Sequence, residues 1–294
     1  MTTNRHTFLS FLSLIRIKHW TKNLLIFTPL FFHIQINNPV LFYQAVLAFL
    51  AFCMTASMIY IINDWQDREL DAQHPVKKDI RPLASGEISG KAAFSVAAIL
   101  AMVTCFVLIL LSSREVAGLI LLYFGMNLLY TFFLKNLVFI DLLIIVAGFI
   151  IRLYVGSFAT GIPLSHWILS LLSLLAFYLV LSKRQGERMA YENKRIIARK
   201  NITRYNGKTL NILLFILSIT IAIVYSLYAF SPEMTNKNSL FFLTIFFVVA
   251  GLIGADYIFL IRKKAHDPTE LFWKDPVLQI CTLCWIATCY FMLY

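Results

Sequence analysis

An all-α bundle that crosses a membrane about nine times is the fold this sequence predicts, and three observations carry the prediction. Hydrophobic residues make up 60% of the 294 and charged residues only 14%, whereas soluble domains are about a quarter charged; the mean hydropathy is +0.75. Apolar runs of roughly 18 to 24 residues recur along the whole length, each enough to cross a hydrocarbon core of about 30 Å at about 1.5 Å per helical residue. The runs are continuously apolar rather than short and alternating. That excludes the closed barrel, the only other architecture that satisfies every backbone polar group in lipid.

The first run, 15–35, follows a basic N-terminus with no small-residue cleavage site, so it is expected to be retained, with residues 8–15 along the interface. The second, 39–62, leads directly into a cluster of acids. Runs at 91–111, 115–134, 138–158 and 164–182 follow. The longest polar stretch comes next, Lys183 to Lys208, and it is too short to bury a core of its own. Runs at 209–230, 239–261 and 276–293 complete the set. Residues 1–294 are therefore expected to form a single integral membrane domain, with polar loops at 63–91, 135–141, 183–208 and 262–275.

The formal net charge of +11 raises the question of nucleic acid. Placement answers it: 23 of the 26 Lys and Arg fall in those four loops or at the N-terminal end, counting Arg16, Lys18 and Lys22 at the start of the first run, while Arg114 and Lys237 lie in the other set and Arg152 inside a span. This asymmetry is the positive-inside pattern. It predicts a cell (inner) membrane protein with the N-terminus and the four loops in the cytoplasm, Tyr294 outside, and no nucleic-acid partner. All five cysteines fall in predicted spans and read as small buried hydrophobes, Cys281-x-x-Cys284 included. The six histidines show no ligand spacing, which argues against zinc.

The most informative stretch directly follows the second run: Asn63-Asp64-Trp65-Gln66-Asp67-Arg68-Glu69-Leu70-Asp71, with four of the chain's 15 acids. On a continuing helix, Asn63, Asp64, Asp67 and Asp71 share one face by spacings of three and four. Three aligned carboxylates repel one another unless a cation joins them, and hard oxygen ligands suit Mg²⁺, which in turn recruits diphosphate oxygens. The plain alternative is a solvated helix end, but such ends in a positive-inside loop normally carry Lys and Arg.

Downstream stands Lys77-Lys78-Asp79-Ile80-Arg81-Pro82-Leu83-Ala84-Ser85-Gly86. Together the two stretches resemble the UbiA-type membrane prenyltransferase superfamily, whose signature is Asn-Asp-x-x-Asp-x-x-x-Asp, a basic loop and Arg-Pro-Leu-x-x-Gly. The resemblance implies a UbiA-like bundle around a central cavity with Asp-rich loops on the cytoplasmic side. It also implies Asp64, Asp67 and Asp71 as catalytic residues and, with Asn63, as ligands to Mg²⁺.

Where prenyl-transferring members carry a second Asp-x-x-x-Asp after the sixth helix, this chain has Lys183-Arg184-Gln185-Gly186-Glu187-Arg188, which leaves one carboxylate and brings in three cations. That exchange is similar to the decaprenyl-phosphate phosphoribosyltransferase subset. Further similarities to that subset are Arg16-x-Lys18-x-Trp20-x-Lys22-Asn23, Tyr130 with Lys135 and Asp141, Arg152, and Asp267-Pro268-x-Glu270 with Asp275. The subset implies transfer of 5-phosphoribose from phosphoribosyl pyrophosphate to a polyprenyl phosphate, with membrane lipid as surroundings; the sequence allows a homo-oligomer.

The chemistry agrees, because a diphosphate, a 5-phosphate and an acceptor phosphate together need more fixed cations than one diphosphate and a neutral ring. Lys18, Lys22, Lys77, Arg81, Lys135, Arg152, Lys183 and Arg184 are the candidates, with Tyr130, Asp141 and Glu187 as further substrate contacts. Lys22, Lys77 and Lys183 also fit ordinary helix ends. Arg152 is less easily explained so, since a charge inside a span costs a few kcal/mol. Asp256 raises the same question, and a structural hydrogen-bond partner is expected there. Two other readings stay open: a prenyl transfer to an aromatic or quinone-precursor acceptor, which shares the first motif, and an anionic-lipid transporter, which needs no aligned carboxylates and for which no inverted repeat is evident.

Overall fold

The computed structural model describes residues 9–73, 77–134, 137, 140–194, 206–261 and 275–294. All regular structure among them is helical. Eight helices are long and apolar enough to span a membrane: α1 (Pro39–Ala72), α2 (Gly90–Leu111), α3 (Arg114–Phe132), α4 (Ile140–Thr160), α5 (His166–Lys194), α6 (Gly207–Ala229), α7 (Thr244–Asp256, continued by a π turn at Tyr257–Ile261) and α8 (Pro276–Leu293).

The first apolar run differs from the expected ninth span. It folds as a 3-10 segment, Ile17–Phe27, followed by a five-residue helix, Thr28–Phe32. Arg16 adopts a left-handed backbone (φ 53°), which separates the segment from what precedes it, and Pro29, lacking an N–H, starts the short helix. Three residues per turn bring Trp20, Asn23 and Ile26 onto one edge. Each of them finds a partner there, which offsets the poorer backbone geometry of a long 3-10 run.

The chain divides into two compact units, Met1–Lys135 with Ile151–Leu164, and Asn136–Ile150 with Ser165–Tyr294; α4 passes from the second to the first after Ile150. In the first unit α1 is the central element, packed on α2, α3 and the 3-10 segment. Asn38 caps it, its Oδ1 accepting from the N–H groups of Val40 and Leu41 at 3.1 and 3.3 Å. Phe52, Ala56, Ile59, Ile120, Tyr123 and Val155 belong to one buried apolar cluster. Gly156 is essential to this packing: a Cβ there would lie 2.0 Å from the carbonyl oxygen of Ile26, so only glycine lets the 3-10 segment press against α4. Gly90, at the start of α2, likewise lies where a Cβ would meet the Trp65 ring at 2.1 Å.

In the second unit α6 packs against α5 and α7, and α7 against α8, around Tyr178, Leu181, Leu214, Ile221 and Phe259. Tyr178 donates its hydroxyl hydrogen to Asp256 Oδ1 at 2.7 Å, the structural partner expected for that carboxylate. Asp275 caps α8, its Oδ1 accepting from the N–H groups of Val277 and Leu278. The five cysteines are free; Cys53 and Cys289 are buried as expected, whereas Cys281 and Cys284 are half-buried and Cys105 is exposed.

Candidate active site

The apolar run of α1 does not stop at the acid cluster; the helix carries on to Ala72, and this is what holds Asp64, Asp67 and Asp71 at fixed spacing. Asp64 and Asp71 are buried, each 3% exposed, while Asp67 and Asn63 are half-buried. Two arginines from outside the helix converge on these acids. Arg16 donates from Nη2 to Asp64 Oδ1 at 2.5 Å. Arg81 Nη1 lies 3.2 Å from the same oxygen and donates to Asp71 Oδ2. A single guanidinium thus ties residues seven apart on α1, direct evidence that they share a face.

The arginines are themselves held. Arg16 lies over the Tyr60 ring, 4.8 Å from its centroid. Arg81 stands just before Pro82, the first residue of a one-turn helix, Pro82–Ser85, that Gly86 ends in the left-handed conformation (φ 79°). Among the described residues no three or more His, Cys, Asp or Glu are grouped to hold a metal by themselves. The donor set nevertheless fits a hard cation: buried carboxylate oxygens with an amide neighbour, already drawing two guanidiniums onto one oxygen.

Below this cluster the 3-10 segment runs antiparallel to α1, and its polar side chains pair off in step. The His19 and Tyr60 rings lie 5.4 Å apart, Trp20 Nε1 donates to Ser57 Oγ at 3.1 Å, and Asn23 Nδ2 donates to Cys53 Sγ at 3.1 Å. At the end of this line stands Arg152, 6% exposed. Its Nε donates to Asn23 Oδ1 at 2.8 Å and its Nη2 to the Tyr123 hydroxyl oxygen at 3.1 Å. The guanidinium lies over the Phe52 and Tyr123 rings at 4.7 and 5.1 Å, which are themselves 4.4 Å apart.

The second unit holds a different cluster. Arg184, 2% exposed on α5, reaches Asp141 Oδ2 from Nη2 at 3.0 Å and donates from Nη1 to Glu187 Oε2 at 2.5 Å. Its Nε is buried with no hydrogen-bond partner among the described residues. Next to it Gln185 Nε2 donates to Asn211 Oδ1 at 2.7 Å. The cation expected here to meet phosphate is thus engaged by two carboxylates.

The remaining candidates are less telling. Lys18 is exposed, and Lys22, Lys183 and Tyr130 are half-buried. Lys77 begins the short helix Lys77–Ile80. Lys135, Asp267, Pro268 and Glu270 lie outside the described residues. Three residues that the sequence reading did not place among the site candidates are brought into it: Arg16 and Asn23, which stood only in a motif, and Tyr123, for which no signal existed. Their partners are 48, 129 and 29 residues away in sequence.

Comparison with known proteins agrees with this architecture. The UbiA prenyltransferase family matches residues 24–275. A decaprenyl-phosphate phosphoribosyltransferase from Mycolicibacterium smegmatis is 31% identical over 93% of this chain and 89% of its own; one from Mycobacterium tuberculosis is 28% identical over 93% and 91%. The structure of a UbiA homologue from Archaeoglobus fulgidus bound to DMAPP and Mg²⁺ superposes with a TM-score of 0.69, covering 97% of this chain and 99% of that one at 17% identity.

Proposed function

The chain belongs to the UbiA prenyltransferase family, and from that premise we propose that it transfers 5-phosphoribose from phosphoribosyl pyrophosphate to a polyprenyl phosphate, releasing diphosphate. It is a multi-pass membrane transferase. The observation that carries the finer reading is the conversion of the second acidic motif into Lys183-Arg184-Gln185-Gly186-Glu187, in a chain whose relatives over nearly their full length are named phosphoribosyltransferases.

In this reading Asn63, Asp64, Asp67 and Asp71 hold Mg²⁺, which when bound neutralises the charge that gathers on the departing diphosphate. The rest falls to the chain's own groups. Arg16 and Arg81, resting on Asp64 and Asp71, are placed to turn towards diphosphate oxygens when the carboxylates take the metal, Arg being suited to bidentate contact. The bond from the anomeric carbon to diphosphate breaks with its electron pair leaving on the diphosphate, and positive charge grows on the ribose. An oxygen of the acceptor phosphate forms the new bond from the opposite face. That nucleophile is already anionic at neutral pH, so no poised base is required, and positioning supplies the rate. The site faces the cytoplasm at an inner membrane, by the charge asymmetry of the loops.

The test uses the full chain in membranes, offered labelled phosphoribosyl pyrophosphate in one arm and a labelled prenyl diphosphate with aromatic acceptors in the other. The phosphoribosyl label is expected to move into the lipid phase with Mg²⁺ and not with EDTA. Movement of the prenyl label alone would replace this reading with ordinary prenyl transfer.

A further inference from the structure

Arg152 does not sit with the acid cluster. Its guanidinium lies against Phe52, twelve residues before Asp64 on one continuous helix, which sets the two levels about 18 Å apart along the axis at about 1.5 Å per residue. No diphosphate bridges that gap. Between the two levels runs the polar edge of the 3-10 segment, with Trp20 on Ser57 and Asn23 on Cys53. Arg152 ends that edge near the middle of the apolar run 39–62, where a charge marks a substrate path more often than a packing role.

The guanidinium is also oriented rather than merely accommodated. Asn23 accepts from Nε, Tyr123 accepts from Nη2, and two neighbouring aromatic rings support the cation from one side. A planar fork fixed in this way is the form in which arginine reads phosphate.

We propose that Arg152 binds the 5-phosphate of the sugar donor, with Asn23 and Tyr123 as the positioning residues that set its plane. This rests on the phosphoribosyl reading above. Length supports it. Metal–oxygen contacts of about 2 Å on each side of an ion and a charge-assisted hydrogen bond of about 2.8 Å account for about 7 Å of the separation. Nine bonds join the terminal phosphorus of the diphosphate to the 5-phosphate phosphorus, as many as in three residues of extended chain, which cover about 10 Å. Fully extended, a donor with those end contacts spans about 17 Å, which brings its 5-phosphate to within about 1 Å of the Arg152 level. The acceptor's phosphate is less suited to this depth, because it heads a long apolar tail and belongs at the membrane–water interface.

The experiment measures phosphoribosyl transfer by the full chain in membranes, for wild type, Arg152→Lys, Arg152→Gln, Tyr123→Phe and Asn23→Ala. Two probes serve as inhibitors, ribose 5-phosphate and magnesium diphosphate. For the Arg152 variants the donor KM and the ribose 5-phosphate inhibition constant should rise together by roughly tenfold or more, with magnesium diphosphate inhibition and acceptor KM within about twofold of wild type. Tyr123→Phe and Asn23→Ala should move the same two constants by a smaller factor, since a merely structural loss would lower kcat and leave the ratio of the two inhibitors unchanged. Should the Arg152 variants not accumulate, Tyr123→Phe, which removes one hydroxyl, decides by the same ratio. A rise in acceptor KM in place of donor KM would assign Arg152 to the lipid phosphate and overturn the proposal, as would unchanged ribose 5-phosphate inhibition. If wild-type protein moves no phosphoribosyl label at all, the functional reading itself fails, and that outcome is visible before any variant is made.

Discussion

The two ionic clusters, one in each unit, have opposite relations to their own sequence. Around Asp64 the sequence is the most acidic in the chain, yet the folded site brings in Arg16 and Arg81 to balance its carboxylates. Around Arg184 the sequence reads as a run of cations, yet Arg184 ends up between Asp141 and Glu187. Burial explains both, since a charge taken out of water is retained only with a counter-charge and further hydrogen bonds. Local sequence charge is thus a poor guide to the charge a ligand meets. The acid site is near balance before any metal arrives, and Arg184 is balanced by the two carboxylates it touches.

The largest effect expected from disturbing this contrast lies in the first unit. Asp71→Ala or Asp64→Ala should cut phosphoribosyl transfer by two or more orders of magnitude while the protein still accumulates in membranes; near-normal turnover in either would remove the acids from the chemistry.

A second, smaller effect separates the clusters by stability. Arg184→Gln leaves two carboxylates without their shared cation at a site 2% exposed, at a cost of about 3 kcal/mol, read as a clear drop in the melting temperature in detergent. Arg81→Gln, with a side chain 20% exposed and Asp64 still held by Arg16, should cost less, with its main effect on donor KM. Equal melting temperatures for the two would break the comparison.

The smallest effect is expected at Asp256. Asp256→Asn keeps an acceptor for the Tyr178 hydroxyl, so stability should change by about 1 kcal/mol or less and transfer should be unchanged. A large loss of activity would add a third charged region to the two compared.

How much of this was legible in the sequence follows from the range of the interactions. The helices from α1 onward were readable because an apolar run is a local signal, and Asp64 and Asp71 were readable as a pair because seven residues on one helix is also local. The 3-10 segment was not, since its conformation depends on partners on α1 and α4 that no window contains. Arg16 looked like one more cation at the start of a span. Tyr123 looked like one more aromatic in an apolar helix, and only the fold brings it to a guanidinium 29 residues on. Arg184 was legible as a cation from its neighbours in sequence, but its pairing was not, because one of its two carboxylates comes from the start of another helix.

The glycine at 156 gives the molecule an unusual tolerance profile. With the Ile26 carbonyl held against it, the segment cannot slide, and the pairs Trp20–Ser57 and Asn23–Cys53 share a single alignment. Point changes along that segment disturb one pair each. Loss or gain of one residue between Ile26 and Arg16 would instead displace every pair on the N-terminal side of the insertion, including the contact at Asp64. Length, more than composition, is what inheritance must preserve there.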